Sequence, residues 1–95
     1  MNIKQLHEKT KSVSSFSILK TSVNNITSLQ ILEGSRLKEH VSKTLALLIC
    51  IDGNVKFENE IGEINFLKNG DYVTIQPLVK HWIDGIENSQ LILIN

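Results

Sequence analysis

Apolar residues in this chain recur mostly at every second position, with Gly, Asn and Asp clusters between the runs. That period marks β-strands with one buried face. The first dozen residues, Met1 to Ser12, are polar and charged, with Ile3 and Leu6 as apolar exceptions. They predict a short helical turn or an extended arm. From Val13 onward strand follows strand. Phe16 and Ile18, then Ile26, Leu29 and Ile31, sit among Ser, Thr, Asn and Gln, which suits half-exposed strands. Gly34 ends one strand, and Ser35 to Lys43 reads as a charged connector. Thr44 to Ile51 is apolar on both parities. Asp52-Gly53-Asn54 reads as a hairpin turn, because Asp and Gly tolerate the positive φ of tight turns. Val55 and Phe57 alternate with Lys56 and Glu58, and Asn59 to Gly62 offers the next turn. Ile64 and Phe66 start another strand, closed by Lys68-Asn69-Gly70-Asp71. Tyr72, Val73 and Ile75 lead through Pro77 to His81-Trp82-Ile83. Asp84-Gly85 breaks the chain again, and Leu91 to Ile94 forms a last strand. Short strands separated by such turns predict an antiparallel sandwich or barrel. No segment carries the i, i+3, i+4, i+7 apolar stripe of a long helix.

The run from Thr44 to Ile51 is the informative one. Ala46, Leu48 and Cys50 share one face, and Leu45, Leu47, Ile49 and Ile51 the other. A strand apolar on both faces must be covered on both. Either the strands around Phe16, Ile18, Ile26 and Ile31 cover the second face, or a second subunit does. Size sharpens this. A 95-residue chain makes one domain. It buries little more than about 60% of its unfolded surface, so a partner would add stability. Ten basic residues balance ten acidic ones, which argues against nucleic-acid or membrane-surface binding. One Cys makes no internal disulfide, and no apolar run approaches the length of a membrane span. A cytoplasmic protein is the expectation.

Candidate chemistry centres on His40 and His81. Gly34 is followed after five residues by His40, then Ser42, Ala46 and Gly53. Gly70 is followed by Gln76, Pro77, Leu78 and His81. These segments resemble the two motifs of the cupin superfamily. The first motif runs Gly, five residues, His-x-His, three or four residues, Glu, six residues, Gly; the second runs Gly, five residues, Pro-x-Gly, two residues, His. Gly34, His40, Gly53, Gly70 and His81 match it. Ser42 stands for the second His, Ala46 for the Glu, Gln76 for the Pro and Leu78 for the Gly.

The resemblance implies an all-β, antiparallel jelly-roll-type β-barrel over residues 13–95, with residues 1–12 as an arm. It also implies a homodimer through the Leu45–Ile51 face. In metal-dependent cupins three His and a carboxylate hold a divalent ion. Only His40 and His81 carry over, an incomplete ligand set. No cofactor is therefore expected, and a divalent metal ion is the alternative. The first reading is a metal-poor module binding a small organic molecule through His40, Ser42, Leu48, Gln76 and His81. The rivals are a metal-dependent oxygenase or isomerase, and a structural domain without ligand. If His40 and Ser42 point inward, Ala46, Leu48 and Cys50 line the same side, which suits an apolar or mixed ligand. Cys50 reads as buried core, Trp82 points away from His81, and His7 is expected to be exposed in the arm.

Overall fold

Burial with a period of two shapes the strands, and where both parities are covered it becomes continuous. The computed structural model describes residues 1–95. After a 3-10 turn at Ile3–Leu6, nine strands follow: β1 Val13–Lys20, β2 Asn25–Ile31, β3 Arg36–His40, β4 Ala46–Asp52, β5 Asn54–Asn59, β6 Ile64–Lys68, β7 Tyr72–Ile75, β8 His81–Gly85 and β9 Ser89–Ile94. They form two antiparallel sheets, ordered β1-β2-β9-β4-β7 and β3-β8-β5-β6. No strand pairing joins the sheets, so the all-β expectation holds while the ladders do not close into one barrel. No helix is long and apolar enough to cross a membrane.

The core lies between the sheets. Leu29, Ile31, Ala46, Leu48, Cys50, Ile75 and Leu91 from the first sheet meet Val55, Phe57, Leu67 and Ile83 from the second. Ala46, Leu48 and Cys50 therefore share the inner face, as alternation requires.

Two readings are corrected. Ser35 to Lys43 is not merely a connector, because Arg36–His40 is a strand paired with β8. Its side chains are mostly exposed and only Leu37 packs on the core, so its pattern carries little strand signal. Asp52-Gly53-Asn54 is not a hairpin. β4 and β5 lie in different sheets, and Gly53, at φ +116°, turns a corner between them. The Lys68–Asp71 turn likewise hands the chain from β6 to β7 across the core. Asn59–Gly62 does close a true hairpin, between β5 and β6.

The outer face of the five-stranded sheet divides into rows. One is polar: Ser14, Gln30, Gln90 and Asp52 lie side by side on β1, β2, β9 and β4. The next holds Phe16, Ser28, Ile92, Ile49 and Tyr72, and the third Ile26, Ile94 and Leu47. The N-terminal arm packs against the polar end. Here His7 overturns the expectation of an exposed side chain. It is 6% exposed, with Nδ1 2.7 Å from Ser14 Oγ and Nε2 2.9 Å from Ser28 Oγ. A polar arm can bury an imidazole because the sheet beneath supplies hydroxyls for both ring nitrogens.

Candidate functional site

Pairing of β3 with β8 sets His40 opposite His81, next to a register shift in β3 between Leu37 and His40. Their ring centroids lie 4.1 Å apart with planes tilted by 60°. His81 is 2% exposed and stacks on Phe57, centroids 5.7 Å apart. His40 is exposed and lies at the rim. The residues that resemblance singled out forty positions apart are thus in contact.

Their hydrogen bonds orient both rings alike. His40 Nδ1 lies 3.0 Å from the Lys38 carbonyl, and His81 Nδ1 lies 3.3 Å from that of Val79. A carbonyl only accepts, so each Nδ1 carries the proton. In the neutral ring Nε2 is then a bare acceptor, and neither Nε2 has a hydrogen-bond partner in the chain. Burial, and the neighbouring His40, push the His81 pKa down against a smaller raising effect of the Val79 carbonyl. His81 is therefore a neutral acceptor at physiological pH.

The other candidates disperse. The Ser42 hydroxyl donates to the Thr44 carbonyl at 2.7 Å, and its own carbonyl accepts from Leu78 N at 2.8 Å. That backbone bond ties the two motif segments together. Gln76 is exposed on the loop after β7. Leu48 is fully buried in the core. The groove beside His40, about 510 Å³, is lined by Ser12, Val13, Arg36, Leu37, Lys38 and His40. Of the predicted residues only His40 lines it. Phe57, which backs His81, was legible from the Val55/Phe57 alternation. Val13 was not, since it comes from β1 in the other sheet, and Leu37 was not, since β3 was read as a connector.

These residues do not fit a resident metal centre. The motif positions offer two imidazoles, the Ser42 hydroxyl is turned to Thr44, and Ala46 has no donor atom. No group of three or more His, Cys, Asp or Glu is placed to hold an ion. A divalent ion needs more protein ligands than that for stable binding.

Leu78 stands where the second motif has Gly, and it keeps a glycine's backbone. Its φ is +63°, with the side chain 70% exposed. The left-handed conformation costs a non-glycine residue about 1–2 kcal/mol. Leu78→Gly relieves this strain against a loss of about 0.5–1 kcal/mol in chain entropy. The expected result is a thermal midpoint unchanged or up to about 10 °C higher. A lower midpoint would show that the left-handed turn is not the native one.

Comparison with solved structures agrees with this architecture. A cupin superfamily protein from Desulfitobacterium hafniense superposes with a TM-score of 0.87 at 14% identity, covering 98% of this chain and 84% of that one. A conserved protein of unknown function from Streptococcus pyogenes gives 0.84 at 16% identity, covering 99% and 82%. A cupin 2 conserved barrel domain protein from Leptotrichia buccalis gives 0.84 at 21% identity, covering 99% of this chain and 46% of that one. No protein-family model and no curated protein matches the sequence. The chain is a small protein of the cupin fold.

Proposed function

We propose that this protein is a metal-poor binding module for a small organic molecule, held at the mouth of a jelly-roll-type barrel formed by the two facing sheets. The observation that carries the reading is the contacting His40–His81 pair, with both Nδ1 atoms tied to carbonyls and both Nε2 atoms free. Two bare acceptors side by side suit a ligand that donates hydrogen bonds, through a hydroxyl or an N–H. The groove beside His40 supplies Val13 and Leu37 for an apolar body. A thermal-shift screen of small alcohols, amines and amides tests this. A ligand at one hundred times its Kd stabilises by about 2.7 kcal/mol, worth about 10–20 °C in a domain of this size. The shift should vanish in a His40→Ala, His81→Asn variant; an unchanged shift there removes the pair from the site.

One observation favours the metal reading. Metal-binding His residues also fix Nδ1 on a carbonyl and offer Nε2. Near-stoichiometric Fe, Mn, Ni or Zn in untagged protein, lost in His40→Ala, would replace the metal-poor reading.

We further propose a homodimer through the two apolar rows on the outer face of the five-stranded sheet. Phe16 and Tyr72 are 49% and 68% exposed in the single chain. A stable dimer needs about 800 Å² from each partner, and a molecule 33 × 32 × 22 Å has room for it. Sedimentation at micromolar concentration should show a dimer for the wild type and a monomer for Ile49→Lys. A monomeric wild type ends this proposal.

A further inference from the structure

The N-terminal arm is fastened to the sheet by polar bonds. His7 bridges the Ser14 and Ser28 hydroxyls. The Gln30 side chain donates from Nε2 to the Glu8 carbonyl at 2.7 Å and the Lys11 carbonyl at 3.0 Å. Gln90 in turn donates to Gln30 Oε1 at 2.9 Å, so a chain of amides runs from β9 to the arm. Lys4 pairs with Asp52 at 2.6 Å across exposed surface. Little apolar surface supports these bonds, since Ile3 and Leu6 are only half-buried. Arm docking therefore depends on hydrogen bonds whose geometry must be right.

Among these groups His7 is the one whose protonation changes the pattern. A neutral ring donates from one nitrogen and accepts at the other, so one serine hydroxyl gives a proton to the ring. A protonated ring donates from both, so that hydroxyl must rotate its hydrogen away and accept instead. The new charge would also be buried. β1 presents Ser14 to the ring, and β2 presents Ser28 beside Gln30; none of these is a carboxylate. Asp52 on β4 is already paired with Lys4, and the Glu8 side chain makes no bond to the ring. Lys11 is the charged group whose field reaches the ring, and it repels a second positive charge.

We infer that His7 is a proton-sensitive latch, which holds residues 1–12 on the polar row of the five-stranded sheet while neutral and releases them when protonated. Burial, and secondarily Lys11, lower the ring's pKa in the docked state. The sign follows. The released ring binds a proton more readily than the docked one, so docking is at full strength above about pH 6.5. It weakens as the pH falls through the lowered docked value. Release would uncover Gln30 and Gln90, whose Oε1 is buried without a partner in the docked state. The latch does not rest on the proposed ligand or the proposed dimer.

Nuclear magnetic resonance on the intact chain tests this directly. The His7 ring signal gives its titration midpoint, and amide exchange, corrected for intrinsic rates, follows the arm. Between pH 7.5 and pH 5 the protection of the Gln5 and Lys11 amides, which bond Asn2 and Glu8 carbonyls, should fall at least tenfold. Its midpoint should coincide with that of the His7 ring. Amides in β4 and β9 should keep their protection, which separates release from unfolding. His7→Gln, which hydrogen-bonds without titrating in this range, should show no pH step in the arm. An arm that stays protected while His7 titrates overturns the latch. So does the same step, at the same pH, in His7→Gln.

Discussion

Phe57→Ala should cost this protein about 3–5 kcal/mol, read as a lowered midpoint in urea or on heating. The ring is 1% exposed, between the two sheets, and stacks on His81. Its removal leaves a hole bounded by β-strands, which collapse poorly into empty space. A chain of 95 residues has a total stability of about 5–14 kcal/mol, so the loss is a large share. The thermal midpoint should drop by about 15–30 °C. His81 should lose its fixed orientation as well, since the face that rests on Phe57 becomes open. A cost below about 1.5 kcal/mol would mean that Phe57 is not the pillar between the sheets that its burial indicates.

Gly53→Ala should have an effect of similar size for a different reason. At φ +116° any side chain is strained. A Cβ there would also meet Ser89 Oγ, and would sit 2.7 Å from the Asn88 carbonyl oxygen and 2.8 Å from Ser89 Cα. Two of these obstacles are backbone and cannot swing aside. The Ser89 hydroxyl is itself engaged with Asn54 N and the Glu87 carbonyl. Strain and overpacking together should cost about 3–5 kcal/mol. Gly62→Ala separates the two causes. Gly62 has φ +92° with open space around it, so its cost should be the conformational part alone, about 1–2 kcal/mol. Equal losses in the two variants would show that the corner at Gly53 is not tightly packed.

Much of this architecture was legible because most strands obey simple alternation. Val55 and Phe57 inside with Lys56 and Glu58 outside is a pattern one segment reveals by itself. So is the doubly apolar β4, whose inner face was assigned to Ala46, Leu48 and Cys50. β3 was missed because its strand character comes from backbone pairing with β8, while four of its five side chains are exposed. The Gly53 turn was placed correctly and misread as a hairpin, because a tight turn and a corner need the same residues. Which sheet the next strand joins is decided by packing elsewhere.

The site was legible in part for the same reason. His40 and His81 could be paired by their resemblance to two motifs, and the structure brings them into contact. Ser42 and Gln76 were grouped with them by motif position, and Leu48 by parity along its strand. A hydroxyl turned to Thr44, a core position and a solvent-facing loop are outcomes that strand parity does not encode. His7 was misjudged by its neighbours in sequence. Its burial is produced by Ser14 and Ser28, one of them 21 residues away.

The position of β9 bears on how the protein is made. It is the ninth strand in chain order, yet it lies at the centre of its sheet, between β2 and β4. Until Ser89–Ile94 is available, that sheet exists as two separate ladders, β1 with β2 and β4 with β7. Two-stranded pieces are marginal in water. The open edges of β2 and β4 would meanwhile be free to pair with another nascent chain. The five-stranded sheet is therefore completed only when Ser89–Ile94 pairs, and until then the edges of β2 and β4 are the surfaces most open to wrong pairing.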